Sequence, residues 1–314
     1  MKRLLLLLLA LGSLSLQAQL PEVSPLLTTE WGQDEPYNLQ CPKYFTNNGE
    51  DHPCKAGCVA VAMAQVMNYY RYPMMTQARI VGYKNPVVWM SYKGEYGVPT
   101  EHTVTLKAIP QHAFLDWEQM CDKYSGGEST GQRLAVANLM LYAGESVVMK
   151  YDRSSSADPR SIAKAMKETF GYASSTRYVA RAGYSDADWE SLLYHELASG
   201  RPIIYGGLKS GGGGHSFIID GYRDGLYHVN WGGEGYNNGY YPLNQMDPEG
   251  GDDGYNFEQD AIVGLSPYAL FDDVSPAGGR ADGRVYDLMR GRVATGGYLS
   301  PGIYIVAGRK VVVR

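Results

Sequence analysis

Two residues far apart in the chain, Cys58 and His215, have the types and settings that acyl-transfer chemistry needs. Cys58 follows Gly57 and opens the run Cys58–Tyr70, whose Ala and Met content predicts a helix. Unpaired backbone N–H groups give a helix N-terminus positive character, so a thiol there is more acidic and more nucleophilic at neutral pH than free cysteine. On its own, Cys58 reads equally as a buried structural cysteine at the start of a core helix. His215 follows four glycines, Gly211 to Gly214, and precedes the strand-like Ser216-Phe217-Ile218-Ile219. The glycines leave the backbone free to turn and the imidazole approachable; taken alone, the residue also reads as a surface histidine in a loop. The chemistry joins the two. A thiolate attacks an acyl carbon, while an imidazole takes the thiol proton and later protonates the leaving amine. An amide oxygen orienting the imidazole and an indole shielding that hydrogen bond complete the set, and Asn230-Trp231 supplies both types.

The elements around these residues are coarse but readable. Asp224-Gly225 marks a turn between two strand patterns, and alternation places His215, Phe217 and Ile219 on one face. The simple Asp-Gly register puts Asn230 on that face too, opposite Ile219 and not beside His215. A wider loop nearer Tyr222-Arg223 would bring Asn230 closer, and periodicity leaves both open. His228 reads as an ordinary strand residue, and His52, His102, His112 and His195 have no comparable setting. Upstream, a Pro-punctuated stretch from Leu20 to about Pro53 precedes the helix at Cys58–Tyr70. Loops and strands follow to about Pro110. Helices are expected at Leu115–Tyr124, Gln132–Ala143, Pro159–Phe170 and Asp186–Ser199, and strands with glycine turns from Pro202 to Pro267. Helices first and strands later predict an α+β domain with two unequal halves.

The ends differ from this body. Residues 1–18 carry Lys2 and Arg3, an apolar run from Leu4 and a small-residue ending at Leu16-Gln17-Ala18, the pattern of a signal peptide. The run is too short to span a bilayer, so no transmembrane segment is expected once it is removed. Residues 272–284 read as a linker after a main domain at 19–271. Beyond it, 285–314 holds short β-prone runs (Val285–Leu288, Gly302–Val306, Lys310–Val313) too small for a core of their own. This tail resembles those that Bacteroidetes use for export across the outer membrane; an extra hairpin on the main domain is the other reading. The expected location is therefore secreted: extracellular, at the outer-membrane surface, or periplasmic.

Composition narrows the function classes. The chain of 314 residues is 44% hydrophobic and 19% charged, which excludes a mainly disordered chain. Its formal charge of −5 offers no footprint for nucleic acid. Cys41, Cys54, Cys58 and Cys121 are too few for a disulfide scaffold, although a Cys41–Cys54 bridge is left open. No histidine pair completes a zinc-site spacing around them, so neither a metal nor an organic cofactor is expected.

The strings AGCVAVAMAQVMNYYRYP and GGGGHSFIIDGYRDGLYHVNWGG, with WGQDEPYNLQCP upstream and NGYYPL downstream, resemble the streptopain-type cysteine peptidases of the papain-like clan from about Val23 to Pro267. The resemblance implies a papain-like, two-lobed fold with a helical lobe, an antiparallel β-sheet lobe and a cleft between. It implies a secreted cysteine endopeptidase acting on polypeptides, with Cys58 as nucleophile, His215 as general base and Asn230 and Trp231 beside the imidazole. Trp231, Gly214, Ser216, Ser155 and Ser156 are expected to border the cleft. Three departures stand out. His52 occupies the position where the clan often has a Gln donor to the oxyanion, leaving the Cys58 N–H and His52 as candidates. Gly233 stands where the family commonly has a second Trp. Only a few residues separate Ala18 from the matching region, where relatives usually carry a propeptide, so a separate inhibitor enters as a candidate partner. These departures motivate an alternative, a catalytically weak or inactive peptide-binding relative; a cell-wall amidase or transpeptidase is a third and weaker reading.

Overall fold

The computed structural model describes residues 20–45, 51–92, 97–251 and 253–267, with four strands between 285 and 313. The expected signal peptide and linker lie outside the described residues.

Helix α1 spans Cys58–Tyr70, as the sequence predicts, and its residues Val59 to Met67 are all buried. Val, Ala and Met on every side leave it no polar face, so it runs through the centre of the helical lobe. Helix α2, Thr130–Ser146, begins at a capping box in which Ser129 and Gln132 satisfy each other's backbone N–H groups. Helix α3 covers only Ile162–Glu168, preceded by a 3₁₀ turn at Pro159–Ser161. The helix expected over Leu115–Tyr124 does not form, and Trp117–Gln119 is a single 3₁₀ turn. Its hydrogen bonds go outward instead: Leu115 N–H donates to the Met74 carbonyl and the Trp117 indole to that of Pro73. One apolar cluster joins α1, α2 and α3 through Met63, Met67, Val136, Met140, Ile162 and Met166.

The second lobe is an antiparallel sheet of six strands: β5 (Arg177–Ala180), β6 (Ile203–Leu208), β7 (Gly214–Arg223), β8 (Leu226–Asn230), β9 (Gly239–Tyr241) and β10 (Phe257–Val263). They lie in the order β5-β10-β6-β7-β8-β9. Strand alternation divides the labour of its faces. Ile204, Ile218 and Ile262 belong to the helical-lobe cluster. Tyr205, Phe217, Ile219 and Ala261 pack on the other side with Trp189, Leu193 and Leu197 of helix α4, Asp186–Ala198. The architecture is α+β, and among the described residues two large cores are accompanied by a small third cluster at Ile80, Ile109 and Ala113.

Smaller sheets complete the described chain. Strands β1 (Lys43–Phe45) and β2 (Asp51–Pro53) pair ahead of α1, and β3 (Lys84–Tyr92) pairs with β4 (Gly97–Thr105). In the tail, β11 (Val285–Asp287), β12 (Arg292–Val293), β13 (Gly302–Val306) and β14 (Arg309–Val313) form a four-stranded sheet of their own. Cys41 and Cys54 are buried, unbridged thiols. Among the described residues no helix is long and apolar enough to cross a membrane.

Candidate active site

A cleft of about 880 Å³ is lined by Cys58 and Val59 of α1, the segment Ser154–Arg160, and the facing ends of β5, β6, β7 and β10. Local backbone chemistry delivers Cys58 to it. Gly57 caps α1 at φ 91°, a backbone conformation that residues with a Cβ rarely adopt, so the position favours glycine. Cys58 is consequently the first helical residue, half-buried, with the free N–H groups of the first turn around it. Burial by itself would push its thiol up. The hydrogen bond and charge of His215, with the N–H groups of Ser216 and Val59, outweigh burial and hold the thiol below its ordinary value. Burial likewise opposes a charged imidazole, yet the hydrogen bond and charge of Cys58 and the bond to Trp231 raise His215 above its ordinary value. Each group favours the charged form of the other.

The imidazole is oriented by backbone. His215 Nε2 lies 2.8 Å from the Trp231 carbonyl oxygen. A carbonyl only accepts, so Nε2 carries the proton and Nδ1 is left for the sulfur. The ring sits between Tyr255, at 5.1 Å, and Trp231, nearly parallel at 6.4 Å, with Phe217 at 5.9 Å. Trp231 is itself fixed by its indole N–H to the Asn237 carbonyl and its backbone N–H to Asn238. It is buried against the imidazole and forms no part of the cleft lining.

Asn230 requires a correction. The Asp224-Gly225 turn is the expected two-residue hairpin, but Ile219 pairs with Val229 and Gly221 with His228, which makes Asp220 an extra residue on β7. One inserted residue exchanges the two faces beyond it. Trp231, not Asn230, therefore joins His215 and Phe217. The Asn230 side chain turns away and donates to the Thr29 carbonyl at 2.7 Å. It also pairs amide to amide with Gln65, at 3.1 and 3.3 Å, and accepts from Gly232 N–H. Asp220 holds the bulge from the far side. Fully buried, it accepts from the Leu26 and Leu27 N–H groups and lies 2.6 Å from His228 Nδ1.

Gly214 and Ser216 line the cleft on either side of His215, and Ser154, Ser155 and Ser156 line its opposite wall. Ser155 is buried and donates to the Lys55 carbonyl at 2.6 Å, tying that wall to the loop before Cys58. His52 is a second correction. It lies on β2, stacked on Tyr44 at 5.7 Å, and is not among the residues that line the cleft. Sequence reasoning missed the Trp231 carbonyl as the partner of His215 Nε2, because the bulge at Asp220 exchanges the faces that simple alternation assigns to residues 230 and 231. Gly233 is exposed, and a side chain added there would meet nothing within 4 Å. No group of three or more metal-ligating side chains occurs among the described residues.

The chain is similar to known proteins in sequence and in fold. The family model described as Peptidase C10 matches residues 31–241. A streptopain of Streptococcus pyogenes serotype M28 is 36% identical over 263 residues, which cover 79% of this chain and 63% of the streptopain. The thiol protease/hemagglutinin PrtT of Porphyromonas gingivalis is 31% identical over 244 residues, 76% of this chain and 26% of that protein. The chain thus spans less than two thirds of the length of these relatives. Among solved structures, active wild-type interpain A cysteine protease of Prevotella intermedia superposes with a TM-score of 0.62 at 36% identity, covering 77% of this chain and 94% of that one. A prointerpain A fragment of the same organism gives 0.59 at 35% identity, covering 77% and 71%. The two-lobed papain-like fold expected from the sequence is the fold of these neighbours.

Proposed function

The chain belongs to the peptidase C10 family, and from that premise we propose that it is a secreted cysteine endopeptidase cleaving extended polypeptides through Cys58 and His215. The observation that carries this reading is the hydrogen-bonded Cys58–His215 pair at the cleft, with the thiol held down and the imidazole held up. In the proposed reaction the Cys58 thiolate attacks the scissile carbonyl carbon, and the carbonyl oxygen takes the negative charge. The Cys58 backbone N–H, at the helix start, is the proposed donor to that oxygen. The imidazolium of His215 protonates the amine as the C–N bond breaks, leaving a thioester on Cys58. A water then loses its proton to the imidazole and attacks the thioester carbon, releasing the carboxylic acid and restoring the pair. The Trp231 carbonyl acts as a positioning group in both halves. Gly206 and Gly207, together with Gly213 and Gly214, leave part of the cleft without side chains, which favours an extended chain lying against it.

Export is proposed from the signal-peptide pattern at residues 1–18, and sorting from the tail at 285–314, joined by the linker at 272–284 to the peptidase domain at 19–271. A separate inhibitor remains part of the proposal as a partner. The chain starting at Gln19 should hydrolyse a denatured protein under reducing conditions, and Cys58→Ala should not. Wild-type protein that is folded, fully reduced and inert toward a broad peptide library would favour the peptide-binding alternative.

A further inference from the structure

We propose that Asp260 is the specificity-determining acid of the cleft, selecting substrates that place a lysine or arginine side chain over it; the inference rests on the peptidase reading of the same site. Asp260 lies in β10 between Gly206 of β6 and Ala180 of β5, and Gly206 in turn pairs with Ser216 of β7. Ala180, Asp260, Gly206 and Ser216 thus form one row across four strands, and all four line the cleft. Three are small, so the carboxylate is the only charged group in the row. It stands two strand spacings from Ser216, roughly 10 Å, which an extended peptide covers in about three residues. A side chain near the scissile bond can reach it.

The carboxylate is under-partnered for its place. The Tyr178 hydroxyl donates to Oδ2 at 3.2 Å. Oδ1 lies 2.7 Å from where a Cβ on Gly206 would stand, so it rests over bare glycine backbone. No cation among the described residues makes an ion pair with Asp260. The nearby wall cation, Arg160, is held by Asp158 through three side-chain hydrogen bonds of 2.6 to 3.0 Å. Burial accordingly pushes Asp260 up to about 6, helped by the charge of Asp158.

The charged and titratable groups that line the cleft with it can be tallied by element: Tyr178 on β5, Glu258 on β10, His215 on β7, Cys58 on α1, and Asp158 with Arg160 on the facing wall. Cys58 balances His215 and Arg160 balances Asp158, which leaves Asp260 and the exposed Glu258 as negative charge without a counter-ion. Aspartate is also a poor choice for a strand interior on packing grounds. A ligand side chain with a positive end and an apolar stem satisfies the unpaired oxygen, offsets the charge and lays its stem along the small residues of the row.

The test is a set of quenched fluorescent peptides that places lysine, arginine or norleucine at each position near the cleavage point, with wild type, Asp260→Asn and Asp260→Ser. At one position the wild type should cleave the lysine or arginine peptide at least about tenfold more efficiently than norleucine. The ratio should fall by about 10- to 100-fold in Asp260→Asn, the range for losing a charged hydrogen bond. It should also fall in wild type as pH drops through about 6, where Asp260 takes up its proton. Asp260→Ser provides the same comparison if Asp260→Asn does not fold. Binding of the same peptides to Cys58→Ala, with and without Asp260→Asn, reads the preference without turnover. Absence of hydrolysis by wild type would therefore sink the peptidase reading while the binding ratio still judged Asp260. A lysine preference that survives Asp260→Asn, or no cationic preference at any position in either assay, overturns the proposal.

Discussion

His215 is held by the backbone of Trp231: its Nε2 donates to the carbonyl oxygen at 2.8 Å, while the Trp231 ring lies nearly parallel to the imidazole. A side-chain substitution does not delete a carbonyl. Orientation of the general base therefore depends on where the strand end is placed, and that placement depends on Asn230, Gln65 and the Asp220 bulge.

The first prediction concerns Asn230→Ala. It removes the amide pairing with buried Gln65 and the bonds to Thr29 and Gly232. Leaving buried partners unpaired should cost roughly 2–4 kcal/mol of stability. At temperatures well below unfolding, kcat/KM should stay within about tenfold of wild type, because the Trp231 carbonyl remains. Denaturant melts and kinetics check both halves. A thousandfold loss of kcat with unchanged stability would assign Asn230 a direct orienting role.

The reason Asn230 and Trp231 exchange places in the sequence reading is physical. Asp224-Gly225 does make the expected turn, and residues 214–230 do alternate as strands. The bulge arises from Asp220, whose partners Leu26, Leu27 and His228 include a segment nearly two hundred residues upstream. Local periodicity has no access to that contact. Helix α1 was legible because Ala and Met fix it locally, and Gly57 and Cys58 sit at its start. Asp260 was not, because only the pairing of β10 with β6 and β5 places its carboxylate in the cleft.

The second prediction concerns Glu145 of α2, buried with Oε2 unpartnered. Burial raises it from the ordinary carboxylate value to about 7. Tyr83, Tyr142, Tyr151 and Cys41 all feel its charge, and none is a cation. The folded state therefore binds this proton more tightly than the unfolded state, and stability falls as pH rises from about 4.5 through about 7. Relative to Glu145→Gln, wild type should lose roughly 2–4 kcal/mol between pH 4.5 and pH 8. Denaturation of both proteins across that range measures it; parallel curves would contradict it.

The third prediction concerns the tail. All candidate catalytic residues precede Pro267, and β11 to β14 pair only with one another in the described sheets. Deleting residues 285–314 should leave peptidase activity within about twofold and the melting temperature nearly unchanged, while altering where the protein accumulates. Normal export with a large loss of stability would favour a hairpin that completes the main domain.

The most direct test of the central claim is the rate at which iodoacetamide alkylates Cys58 at pH 6.5, followed by peptide mass and by loss of hydrolysis in the same samples. Burial holds the Cys41 and Cys54 thiols well above the ordinary thiol range, the latter at about 12, and Cys121 is also raised. Labelling should therefore report Cys58 alone. Its thiol is held low by His215, so wild type should react readily, with hydrolysis falling in step with the labelled fraction. In His215→Ala the rate at this pH should drop by about 100-fold, because burial then raises the thiol against the N–H groups of Ser216 and Val59 alone. Hydrolysis that persists with Cys58 fully alkylated, or equal labelling rates in the two proteins, would contradict the account.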